Sequence, residues 1–160
     1  MEWDKLRSLS DGKIVSLESI LSKNINVSYR CGCDSMNIRD KTIFITTLVG
    51  IRSEGGAFVL YQKDKAPKIS DIQERLWKEV ERAISFAVYF RDNHPMKLEG
   101  IDFDLNTDEQ FISSRLASSA IGYANSLGFE AQCKPSMLCA IYASDHVVHN
   151  GSEYSKHGIL

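Results

Sequence analysis

The chain has no C-x-x-C pair, no export-like start, no apolar run long enough to cross a bilayer, and almost no net charge. Each absence excludes something. Of the four cysteines, Cys31 and Cys33 alternate along one stretch, while Cys133 and Cys139 lie far away in sequence. A lone C-x-C is a weak zinc signal, so these read as packed thiols of a reducing compartment. The start, Met1-Glu2-Trp3-Asp4, lacks the basic residues and apolar segment of a signal peptide, so a cytoplasmic location is expected. The most apolar run, residues 42–51, is about half the length of a membrane span and carries three threonines. No membrane partner is expected. A net charge of −2 gives no global field to hold the protein on nucleic acid, although a binding face can still be locally basic. Internal repeats, low-complexity tracts and linkers are also missing. A chain of 160 residues then reads most simply as one folding unit with termini attached.

What is present is a regular alternation of elements. Residues 1–24 read as an N-terminal extension. Asp11-Gly12 is a turn signal, and Ser16 caps a short helix bearing Leu17, Ile20 and Leu21, expected to pack on the outside. Residues 25–34 alternate, with Tyr29, Cys31 and Cys33 on one face and Arg30, Gly32 and Asp34 on the other. This predicts a strand that ends on Asp34 and turns through Ser35, Asn37 and Asp40. Residues 41–50 and 57–62 predict two further strands, antiparallel because the connections are short. Lys63 to Lys68 reads as a charged loop, and Ser70-Asp71-Ile72-Gln73 as a capping box opening a long helix to about Arg91. Its stripe is Ile72, Leu76, Val80, Ala83, Ile84, Ala87 and Val88. Leu98 to Leu105 predicts a fourth strand. Thr107 to Gln110 predicts a capping box for a second helix that ends near Gly128. A fifth strand, Phe129 to Cys133, and a last helix from Pro135 to Val148 follow. Residues 25–149 form the domain, and residues 150–160 read as a mobile tail. The order implies an α/β fold with a mixed sheet covered by helices.

The acidic residues carry the chemistry. Asp34 and Asp104 each stand near the carboxyl end of a predicted strand, where sites gather in open α/β sheets. Asp102 shares the face of Asp104 but lies about 7 Å further down the strand. On the long helix, Glu79 sits beside Leu76 and Ala83 and can edge under toward the sheet, whereas Glu81 joins an ordinary charged face. Asp145 on the last helix is either an exposed polar residue or part of a site. Ser35 either contacts a phosphate or caps the turn. Lys134 and His149 are further phosphate-contact candidates, His149 being one helical turn beyond Asp145. Lys63, Lys65, Lys68, Arg75 and Lys78 read as a rim around the start of the long helix, either solvated or facing a nucleic-acid backbone.

Several stretches resemble the bacterial and phage YkuK-type family, which is grouped with the ribonuclease H-like fold. They are the strand ending Gly-Cys-Asp-Ser, the run Glu74-Arg75-Leu76-Trp77-Lys78-Glu79-Val80, Ile101 to Asn106, Gly122-Tyr123, Lys134-Pro135 and Ala143-Ser144-Asp145. The resemblance covers roughly residues 25–148. It implies a five-stranded sheet in the order 3-2-1-4-5, with strands four and five parallel to strand one. It also implies a four-carboxylate site of Asp34, Glu79, Asp104 and Asp145 that holds Mg2+ or Mn2+. The implied function is a metal-dependent nuclease acting on RNA, hybrid or structured DNA. The alternative is a non-catalytic module that binds nucleic acid or a protein partner. Two departures from ordinary ribonucleases H stand out: the local sequence around Glu79, and no evident basic protrusion between residues 91 and 129.

Overall fold

In the computed structural model, residues 2–134 are described, together with residues 140, 141, 143 and 147. The expected tail, residues 150–160, lies outside the described residues. Among them, the elements in chain order are β1 (Lys5–Ser8), β2 (Ile14–Ser16), α1 (Leu17–Lys23), β3 (Val27–Ile38), β4 (Lys41–Arg52) and β5 (Ala57–Pro67). Then come α2 (Ile72–Asn93), β6 (Leu98–Asn106), α3 (Ser114–Ser126) and β7 (Ala131–Lys134). Ala140, Ile141, Ala143 and Val147 are helical.

The sheet has seven strands in the order β2-β1-β5-β4-β3-β6-β7. The five expected strands keep their order; the expected count of five does not. Two short strands from the N-terminal extension add to the β5 edge, β1 pairing antiparallel with both β2 and β5. The long trio β3–β4–β5 is antiparallel, and β6 and β7 add in parallel on the other side. The result is a mixed α/β architecture, as the order of elements implied.

The extension is part of the core. Trp3, Leu6, Leu17 and Leu21 are buried, and the Trp3 ring meets Phe86 of α2 edge-on at 5.3 Å between centroids. The short helix packs onto the domain through Leu17 and Leu21, while Glu18, Ser22 and Lys23 stay exposed. Ser16 does cap it, accepting from the Ser19 amide. The main core lies between the sheet and α2, whose Val80, Ala83, Ile84, Ala87 and Phe90 are buried. Burying a large apolar side chain contributes about 1.5–3 kcal/mol, so this interface dominates the favourable side of folding.

Local chemistry moved several boundaries. β3 does not turn after Asp34. It runs on to Ile38 because β4 offers partners throughout, and the chain reverses over Arg39-Asp40, with Arg39 at φ 55°. Asn37 is used inside the strand: its amide donates to the Ile69 carbonyl and its oxygen accepts from Thr42. The charged segment Lys63 to Pro67 is strand, not loop. Asp71, rather than Ser70, caps α2, accepting from the Glu74 amide at 2.8 Å. The second helix starts at Ser114 instead of after Thr107. There Asn106 accepts from the Asp108 amide and Asp108 from the Gln110 amide. Such local side-chain bonds offer the backbone an alternative to helix. Phe111 and Ile112, which precede the helix, are exposed.

Candidate functional site

The parallel pairing of β3 with β6 positions the acids. The register runs to Gly32 opposite Asp102 and stops there. Asp34 and Asp104 each stand two residues beyond that last paired row, on the same face as Gly32 and Asp102. Asp34 thus lies inside a strand, where the sequence reading ended the strand, and it still marks the end of the parallel pairing.

Below this level the sheet is locked. Asp102 is fully buried, and its Oδ1 accepts from Arg30 Nε at 3.0 Å and Nη2 at 2.7 Å. Its Oδ2 accepts from the Ala140 amide at 2.9 Å, and the Thr47 hydroxyl donates to the Ala140 carbonyl at 2.8 Å. Asp102 thus binds a guanidinium and a helix backbone, which answers why a carboxylate can stay there. Two glycines make room. A Cβ on Gly100 would meet Arg30 Nη2 at 2.6 Å, and one on Gly32 would meet the Asp102 carbonyl at 3.0 Å and Ala140 Cβ at 3.1 Å. Sequence reasoning ranked Asp102 below Asp104 but missed Arg30. The signal was available: Arg30 and Gly32 face the same side as Asp102, with Gly100 next to it on β6.

Above it, the acids gather. Glu79 of α2 is 5% exposed, and its Oε1 accepts from the Ser35 hydroxyl. Ser35 also donates its amide to Asp34 Oδ1 at 2.9 Å. One residue therefore ties strand and helix acids together, and it does so from within β3 rather than from the turn expected there. Burial pushes the Glu79 carboxyl well above the ordinary range, and the charge of Asp34 pushes it the same way. The Ser35 bond opposes the rise, Asp104 adds to it, and Arg75 opposes it. Asp34 and Asp104 are thus both within electrostatic reach of Glu79.

Asp104 is partly buried and lies 2.5 Å from the Lys134 ammonium through Oδ1, an ion-pair contact without hydrogen-bond alignment. Lys134 is half-exposed at the end of β7. Asp145 and His149 lie outside the described residues. The thiols sit on the face opposite Asp34 and Asp104, the face that α2 and Glu79 cover. Cys31 packs against the Ala83 carbonyl, and burial raises both Cys31 and Cys33, as expected of inert packed cysteines.

The donor set fits a hard divalent cation, since each donor is a carboxylate oxygen and Glu79 is buried among like charges. As they stand, no three acidic, histidine or cysteine side chains among the described residues converge to hold an ion. Ser35 engages Glu79, and Lys134 engages Asp104.

The family model described as Ribonuclease H-like matches residues 14–148. The chain belongs to the Ribonuclease H-like family. No curated protein and no solved structure matches it. The match begins at β2 and takes in every element that positions the acids. Among the described residues, no helix is long and apolar enough to cross a membrane.

Proposed function

We propose that the protein is a metal-dependent phosphodiester hydrolase, a nuclease that uses Mg2+ or Mn2+. Asp34, Glu79 and Asp104 are its metal ligands, and Asp145 is the fourth. The observation that carries the reading is Glu79: an acid almost out of water, with two further carboxylates raising its pKa. Such a group is costly to keep charged unless a cation joins it, and perturbed acids of this kind cluster at functional sites. Asp145 enters only through the resemblance to the YkuK-type family. A bound divalent pair supplies an activated water and neutralises charge developing on the phosphoryl oxygens.

The chain's own residues orient and balance that chemistry. The Ser35 amide fixes the Asp34 carboxylate, and the Ser35 hydroxyl fixes Glu79. Lys134 holds positive charge beside Asp104, and with a metal ion on Asp104 it would serve as a contact for a substrate phosphate. His149 is a second phosphate-contact candidate. The substrate is nucleic acid: RNA, hybrid or structured DNA.

The test is a panel of labelled single-stranded RNA, RNA–DNA hybrid and branched DNA in manganese. Cutting by the wild type that disappears in Asp34→Asn is the expected result. Melting measured alongside should rise with manganese, by a free energy of about 2.7 kcal/mol at a hundred times the dissociation constant, and Asp34→Asn should lose the rise. A wild type that neither cuts nor responds to millimolar manganese sinks the reading. A specific observation favours a second reading, a non-catalytic module binding nucleic acid or a protein partner. Lys134 already pairs with Asp104, and among the described residues no three acidic, histidine or cysteine side chains are grouped to hold an ion. Nucleic-acid binding that survives chelation, with no cutting, would select it.

A further inference from the structure

The strand register sorts the charges of the outer sheet by face. On β4, Thr47 bonds Ala140, and Ile43 and Ile45 cluster with Tyr61 and Val147, so these positions face the C-terminal helical residues. Their β5 neighbours are Tyr61 opposite Thr47, Lys63 opposite Ile45 and Lys65 opposite Ile43. Arg7 of β1 lies opposite Tyr61, and Lys41 opens β4 with the parity of Ile43. Asp34 lies opposite Ile45 from the other side. Lys63, Ile45 and Asp34 therefore form one row across three strands, with Lys63 about 10 Å from Asp34 at two strand spacings.

Four cations thus share the face of Asp34. The sole acid of β1, β4 and β5 is Asp64, and it turns to the opposite face to pair with Arg82 at 2.7 Å. None of the ion pairs among the described residues involves Arg7, Lys41, Lys63 or Lys65. Partial burial, then Lys65, then Arg7 hold the Lys63 ammonium below its usual range, so the charges press on one another. The rim expected at the start of α2 is weaker. Its Lys78 is matched by Glu81 at 3.0 Å, and Lys63 and Lys65 point away from it.

We infer that Lys41, Lys63, Lys65 and Arg7 form a lane for the sugar–phosphate backbone of a nucleic-acid strand, holding phosphates that flank the one at the carboxylates. This rests on the nuclease reading for its direction. Lys63 and Lys65 are about 7 Å apart along β5, a spacing that suits successive charges of a polyanion better than one small anion. Contacts of this kind set affinity and register without reading sequence.

The test is fluorescence anisotropy of a labelled single-stranded RNA and of a hybrid, in chelator, over a salt series. The triple variant Lys41→Gln, Lys63→Gln, Lys65→Gln should bind about tenfold more weakly at moderate salt. Its log–log salt slope on single strands should be shallower by about 2. The control Lys68→Gln, Lys78→Gln should match the wild type. Should the triple variant melt early, the exposed Lys65→Gln alone should flatten the slope by about 0.7. Triple-variant binding within twofold of wild type, or an equal loss in the control, overturns the lane. So does lysine-dependent binding to phosphatidylserine vesicles without binding to either oligonucleotide. Chelation separates the two readings. An intact lane on a wild type that never cuts removes the nuclease, whereas normal cutting with a triple variant whose affinity and salt slope match the wild type removes only the lane.

Discussion

Asp102 and Glu79 are carboxylates taken almost wholly out of water, one on each side of the same sheet. Asp102 is answered on both oxygens, by Arg30 and by the Ala140 amide. Glu79 accepts one hydroxyl, feels Arg75 only weakly, and faces two acids. Burial alone therefore does not mark a site. A buried acid with a complete set of partners is a fastener, whereas a buried acid among like charges awaits a cation.

The contrast breaks most visibly at Asp102. Replacing it with alanine leaves the Arg30 guanidinium without its partner and frees the Ala140 amide. A loss of about 3–5 kcal/mol is expected in urea unfolding. A change below about 1 kcal/mol would mean that Asp102 is no fastener.

Gly100→Ala attacks the same region from the side of space. Its Cβ would overlap the Arg30 guanidinium, and a loss of about 1–3 kcal/mol is expected by the same measurement. Pairing it with Arg30→Met should give less than the sum of the two, since the shorter side chain vacates the spot. Strict additivity would show that the glycine does not serve the arginine.

Glu79→Gln should act in the opposite direction. The folded carboxyl has a raised pKa. Its favourable contribution is complete below the unfolded value near 4.5 and is lost as pH climbs through the folded value. Glutamine stays neutral and can still accept from Ser35. In chelator, Glu79→Gln should therefore melt above the wild type at neutral pH, and the gap should close toward pH 4.5. A variant that melts lower across the whole range would place Glu79 with Asp102. The smallest effect belongs to Lys134→Met. Its half-exposed ion pair is worth about 0–1 kcal/mol, so stability should hardly move while the manganese midpoint shifts.

The parts of the fold that repeat were legible in the sequence. Alternation announced β3, a 3.6-residue period announced α2, and element order gave the mixed sheet. Even the position of Glu79 beside Leu76 and Ala83 foretold its turn under the helix. The misses share a cause. β1 and β2 are four and three residues long, too short for a period to show. The late start of α3 depends on Asn106 and Asp108 competing for backbone amides, which no hydrophobic pattern records. The partners that separate Asp102 from Asp104, Arg30 and Lys134, come from other strands and become visible only through register.

The two N-terminal strands have a further consequence, for how the molecule keeps to itself. β5 is eleven residues long and, without β1, would present a bare row of amides and carbonyls to any passing strand. β1 covers its middle with Arg7 and Ser8 opposite Tyr61 and Leu60, and the Leu9 amide reaches the Val59 carbonyl. The outermost strand is then β2, only three residues long. A chain trimmed to begin at residue 14 keeps the whole family-matched region yet loses this cover and the buried Trp3 and Leu6. Such a chain should self-associate through β5, so the opening residues act as a shield against aggregation.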